Sequence, residues 1–194
     1  MLDQPKKVYA PNPIVVWRPN TLETAVGGFK LDLQGYQEGD IIRAGSAIYG
    51  DEITRIATVI PTFALAEAVV GTAQVIKVPA NYGANIGIFI AYGDSLVSHK
   101  IVSKVTVGGF EELTLDSPVT DLPKGTVFFR ALETAVNGKL VYKLPNFLSY
   151  AARIVKYNQT IDGVTLGTVY ERRIPPVPQF IKDNLKTTIF TGSY

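Results

Sequence analysis

A single histidine, a handful of carboxylates beside turns and no cysteine are the raw material for chemistry in this chain. His99 stands alone, so one chain cannot assemble a zinc site of two histidines or a cupin-type site of several histidines and a carboxylate. A serine-type triad would have to use His99 itself, and no nucleophile motif accompanies it. It follows the polar stretch Asp94-Ser95-Leu96-Val97-Ser98, which predicts a solvent or turn histidine. Glycoside hydrolysis needs paired carboxylates, for which Asp51, Glu52, Glu111, Glu112, Asp116 and Asp121 are the candidates. Each lies beside a turn, where acids usually hold backbone amides. Gly83-Ala84-Asn85-Ile86-Gly87 and Gly108-Gly109 lack the Lys-Ser/Thr of a phosphate-binding loop and read as turns. Without cysteine there is no disulfide, thiolate metal site or thiol redox chemistry, which fits synthesis in a reducing compartment. The expectation is no catalytic residue, no cofactor and no metal.

A docking function has better candidates. Gly167 to Pro178 reads G-T-V-Y-E-R-R-I-P-P-V-P. It predicts a short strand with Val169 and Glu171 on one face and Tyr170 and Arg172 on the other, running into a proline-stiffened arm. Polyproline is already extended, so ordering it on a partner costs little entropy. Arg172 and Arg173 can pair with carboxylates. The partner-binding set expected from this pattern is Tyr170, Arg172, Arg173, Ile174, Pro175, Pro176, Val177, Pro178 and Phe180, with Trp17 anchoring an N-terminal arm. The same segments could instead fold back and cover an edge strand of their own sheet.

The elements that position these residues are strands. At 194 residues and 46% hydrophobic content the chain can bury a core. Glycine-centred punctuation separates β-branched and aromatic runs of four to eight residues, giving roughly ten to thirteen strands. Asn137-Gly138 and Asp162-Gly163 are the best two-residue hairpin turns. Phe180 to Leu185 predicts a short helix, and Phe63 to Val70 is ambiguous between helix and strand. The fold expected is mainly β, a single-domain sandwich or distorted barrel of short antiparallel strands. Residues 1–20 form an extended N-terminal arm, 21–170 the β domain, and 171–194 a proline-rich C-terminal arm with a short helix. Asp40 to Ile48 and Asp121 to Phe128 echo one another as corners leading into strands.

A net charge of +2 with scattered basic residues argues against nucleic acid as a partner. Met1 to Lys7 is followed by prolines rather than an apolar run, which predicts no secretory signal. The most apolar window, Ala57 to Ile76, is broken by Pro61, Glu67 and Gly71, so no membrane partner is expected.

Read in order, Gly39–Ser46, Ile53–Ala57, Val75–Val78, Gly87–Ile90, Leu113–Leu115, Leu122–Val127, Leu144–Leu148 and Gly167–Pro178 resemble one family of virion proteins. These are the head-fibre and capsid-decoration (auxiliary capsid) proteins of tailed phages of gut Bacteroides, including crAss-like phages. The similarity runs from about residue 35 to residue 186, and V-Y-E-R-R-I-P-P-V-P is its most specific piece. The chain departs from the family at Pro79-Ala80-Asn81-Tyr82-Gly83 and at Phe147, which stands where a turn glycine is expected. The resemblance implies a non-enzymatic virion protein on the outer capsid surface, made in the host bacterial cytoplasm. It implies as partners the major capsid protein, further copies of itself as a homodimer or homotrimer, and other head-fibre proteins. Two other classes are weighed beside it. A carbohydrate-binding β module would show exposed tyrosines beside a groove, and a β-barrel isomerase or hydrolase a pocket with convergent acids.

Overall fold

A computed structural model describes residues 15–25 and 28–192. Most of the expected N-terminal arm, residues 1–14, and Gly27 of the predicted Gly-Gly turn therefore lie outside the described residues. The chain is mainly β, as its composition predicts. Its first strands are β1 (Glu23–Thr24), β2 (Phe29–Asp32), β3 (Ile41–Ile42), β4 (Ala47–Asp51) and β5 (Ile56–Val59). Then come β6 (Thr62–Ala64), β7 (Val69–Pro79), β8 (Phe89–Tyr92), β9 (His99–Val107), β10 (Phe110–Leu122), β11 (Val127–Val136) and β12 (Lys139–Val141). The last are β13 (Phe147–Ser149), β14 (Arg153–Ile154), β15 (Thr160–Ile161), β16 (Gly163–Tyr170) and β17 (Thr188–Thr191), with helix α1 (Gln179–Asn184) before β17.

Two curled, largely antiparallel sheets result, together with a two-stranded antiparallel ladder of β3 and β14. The seven-stranded sheet runs β12-β11-β8-β9-β10-β7, with β6 also paired to β11. The chain leaving β6 turns back onto β7, where Ala66 N–H donates to the Lys77 carbonyl (2.8 Å). Alternate residues of these strands, including Phe63, Ile76, Ile90, Ile101, Leu113 and Phe128, fill the apolar interior. The eight-stranded sheet runs β1-β16-β13-β4-β5-β2-β15, with β17 parallel to β16. Only Asp162 separates β15 from β16, so this sheet also curls until its path meets itself. Phe29, Ile48, Val59, Phe147 and Ile161 line its interior.

The strands differ from expectation in three places. Phe63 to Val70 contains no helix: it holds β6 and the start of β7, with Phe63, Leu65 and Val69 buried at the period of two that a strand sets rather than on one helical face. Asp162-Gly163 is not a hairpin turn but a bend between two strands that pair with different partners. Its glycine serves close approach: a Cβ on Gly163 would stand 2.9 Å from the Phe147 ring, the same ring that replaces the expected turn glycine. Third, β16 stops at Tyr170, so Glu171–Arg173 form a turn of 3₁₀-helix rather than continuing the strand. Asn137-Gly138 does turn the β11–β12 hairpin, with positive φ at both residues. The corners at 40–48 and 121–128 share one local course. Ser46 N–H bonds to the Arg43 carbonyl (3.2 Å) and Thr126 N–H to the Pro123 carbonyl (3.1 Å), yet the strands they feed have unrelated partners.

Candidate functional site

Most of the groups that could do chemistry are bonded within the fold, though the buried Glu111 Oε2 has no hydrogen-bond partner among the described residues. His99 is a buried strand residue, not a solvent or turn histidine; its side chain is on the same side of β9 as Ile101. Its ring stacks at 6.2 Å on Tyr92, and Nδ1 lies 2.9 Å from the Ser117 hydroxyl. The alternation His99, Ile101 against exposed Lys100, Val102 is the sequence signal that places it inside.

Four of the six acids do hold amides, although Asp116 lies within β10 rather than beside a turn. Asp51 Oδ1 accepts from Ile53 N–H (2.9 Å) and Thr54 N–H (3.2 Å), Asp116 from Lys100 N–H (2.9 Å) and Asp121 from Gly71 N–H (2.7 Å). Those amides, seconded by the nearby Lys143 ammonium, hold the Asp51 carboxyl below the usual carboxylate range, the wrong direction for a general acid. Glu111 is buried in β10, where Oε1 accepts from Asn81 N–H (3.2 Å) and lies 3.8 Å from Lys104 Nζ. Among the described residues no three His, Cys, Asp or Glu side chains are grouped to hold a metal ion, and no helix is long and apolar enough to cross a membrane.

The terminal segments pack on the chain itself. Residues 17–24 run along one edge of β16 through the Trp17–Val169 bridge and β1, while β17 runs along the other edge. Arg18 N–H donates to the Thr168 carbonyl (2.9 Å) and Tyr170 N–H to the Val16 carbonyl (2.8 Å). Trp17 is only 7% exposed, and its indole N–H donates to the Tyr150 carbonyl (2.8 Å). Beyond the prolines, Ile174, Val177, Ile181 and Leu185 form one apolar cluster with Trp17, Ala47, Leu148 and Val164. This face of the eight-stranded sheet would otherwise be bare. Lys182 pairs with Glu171, tying α1 to the 3₁₀ turn. Phe180 sets its ring edge-on to Phe129 at 5.0 Å, joining α1 to the seven-stranded sheet.

The ten residues expected to touch a partner therefore divide. Trp17, Ile174, Pro175 and Val177 are buried against their own chain. Tyr170, Pro176, Pro178 and Phe180 are half-buried, and Tyr170 carries the Arg173 guanidinium 4.6 Å above its ring. Arg172 and Arg173 are exposed.

Two concavities flank that exposed pair. The larger, of about 610 Å³, has Val15, Trp17, Ile41 and Tyr150 among its lining residues, with Arg18, Arg43 and Arg173 around it. Arg173 donates to the Val15 carbonyl (2.8 Å), and Arg43 to the Asn81 carbonyl (3.1 Å) while lying 4.2 Å over the Tyr82 ring. The second, of about 450 Å³, is lined in part by Tyr82, Arg172 and Pro176. Among the described residues the side chains of Arg18 and Arg172 make no hydrogen bond or ion pair. Apolar and aromatic surface ringed by guanidinium groups is the composition of a protein-docking surface, where aromatic residues and arginine are enriched and supply most of the anchoring contacts. Sequence reasoning missed Arg18, which follows Trp17 in the chain, and Arg43, Ile41 and Tyr150, which the corner at 40–48 and the turn after β13 bring beside it.

No known family, curated protein or solved structure matches the chain.

Proposed function

We propose that the chain is a non-enzymatic structural protein of a tailed-phage virion, docked on the outside of the capsid as a decoration protein or head-fibre component. The observation that carries this reading is the arginine-ringed groove beside Trp17, whose apolar floor and cationic rim suit an acidic protein surface. The sequence resemblance supplies the capsid as that surface. The major capsid protein is the partner, and self-association as a homodimer or homotrimer, together with other head-fibre proteins, fits the same setting. Arms are not required for the docking, since the exposed arginines sit on a preformed body and pay no folding cost on binding. Many copies on one shell need only modest affinity each, and an oligomer adds factors of about 10² to 10⁴ in avidity.

Co-sedimentation with assembled capsids of the phage that encodes the chain tests this. The full chain is expected to bind saturably, and Arg18→Glu with Arg172→Glu to weaken binding at least roughly tenfold with an unchanged melting temperature. Folded chain that stays in the supernatant would refute the reading. Equal binding by the double variant would remove both arginine-rimmed concavities from it.

A further inference from the structure

A second surface, on the eight-stranded sheet, is built differently. Strands β2, β5 and β4 lie side by side, and their register sets two rows of side chains across one face of the sheet, with Thr58 buried in the second. Lys30, Ile56 and Asp51 align in one row, and Asp32, Thr58 and Tyr49 in the next. The face opens into a cleft of about 550 Å³ whose lining includes Lys30, Asp32, Asp51, Lys143 and Tyr157. Lys143 reaches in from the loop after β12, with Nζ 3.1 Å from the Thr58 hydroxyl and 5.3 Å from the centre of the Tyr49 ring.

Tyr157 stands on the rim of this cleft and is 79% exposed. Its loop is fixed on both sides. Val155 N–H donates to the Asp40 carbonyl (2.8 Å), Leu31 N–H donates to the Gln159 carbonyl (2.8 Å), and the Gln159 side chain caps Lys156 N–H (3.0 Å). An aromatic ring held out into water on a tethered turn buries little of its apolar surface in the free protein. It is presented at low entropic cost to whatever enters the cleft.

The charges select the ligand class. Two ammonium groups donate hydrogen bonds and two carboxylates accept them, so the cleft carries no net charge from these four groups. Phosphate, sulfate or an acidic peptide would meet Asp32 and Asp51, while a cationic ligand would meet Lys30 and Lys143. A pyranose meets neither penalty. Its hydroxyls both donate and accept, and its C–H face stacks on a tyrosine ring or on the exposed Ile56 floor.

We infer that this cleft binds a neutral saccharide, with Tyr157 as the stacking platform and, as hydroxyl contacts, Lys30, Lys143 and the remaining lone pairs of Asp32 and Asp51, whose oxygens also accept from Gln34 N–H, the Thr58 hydroxyl, Ile53 N–H and Thr54 N–H. The assignment does not rest on capsid docking, since these five residues are separate from those lining the Trp17 groove.

The test is the full-length protein on an array of immobilised neutral and anionic glycans, followed by NMR titration with the best neutral hit as a free oligosaccharide. Saturable binding of neutral glycans in both formats is expected, with shifts at Tyr157 and the Lys30 row. Tyr157→Ala should weaken binding by about tenfold, and Lys143→Met should weaken it without changing the melting temperature. Absence of saturable binding to any neutral glycan would overturn the inference, as would a preference for sulfated or phosphorylated glycans. Binding that Tyr157→Ala leaves unchanged would overturn it too.

Discussion

The two sheets are assembled from the chain in opposite ways. The seven-stranded sheet is one continuous stretch, Thr62 to Val141, most of whose strands pair with close sequence neighbours, as in the β9–β10 hairpin. The eight-stranded sheet is stitched from both flanks: β1, β2, β4 and β5 come before that stretch, and β13, β15, β16 and β17 after it. The first sheet buries its interior with residues of that one stretch. The second has one face that stays bare until residues from both ends of the chain are laid on it. Segments with the composition of docking arms are thus, in the isolated chain, the cover of a sheet.

This contrast can be broken most forcefully by truncation. Ending the chain after Arg173 removes Ile174, Val177, Ile181 and Leu185, each worth about 1.5–3 kcal/mol of burial. The sum approaches the whole stability of an ordinary domain, about 5–15 kcal/mol. Loss of the cooperative thermal transition, followed by circular dichroism, is the expected outcome, whereas a native-like melting curve would show that the cover is dispensable.

A paired substitution sharpens the comparison. Ile181 in α1 and Ile101 in β9 are both fully buried. Ile181→Ala and Ile101→Ala should each cost about 2–5 kcal/mol in denaturant unfolding. A cost near zero at Ile181 alone would separate the cover from the core.

The smallest effect comes from the seat of the cover on the corner at 40–48. Gly45 has φ +75°, and a Cβ there would stand 2.2 Å from Ile174 Cγ2. Gly39 has φ +94° with nothing within 4 Å of the same position. Both alanine variants suffer the positive φ, at a cost above about 0.4–1 kcal/mol, and Gly45→Ala should be the more destabilising because Ile174 must also move. Equal melting temperatures would mean that Ile174 is not seated there.

Much of this architecture was legible in the residues. The strand runs, the Asn137-Gly138 turn and the helix near Phe180 follow from local rules of period, turn chemistry and proline placement. Pairings between distant strands were not legible, because nothing in Trp17 or Val169 alone says that they face one another. Proline-rich segments with spaced apolar residues read the same whether they lie on a neighbour or on their own sheet, and long-range geometry decides. The same holds for both candidate surfaces. Tyr157, Lys30 and Asp51 are scattered in sequence and meet only through the register of β2, β5 and β4. The arginines around Trp17 meet only through the path of the terminal segments.

Hydrogen exchange on the free protein tests the central claim, that both terminal segments belong to the fold before any partner arrives. The amides of Arg18, Tyr170 and Thr188, bonded to the carbonyls of Thr168, Val16 and Leu185 at 2.8–2.9 Å, should be protected to the same degree as Ile101, bonded to Ile88 at 3.0 Å. Exchange of those three at unprotected rates, with Ile101 still protected, would contradict the account and return the termini to the role of free arms.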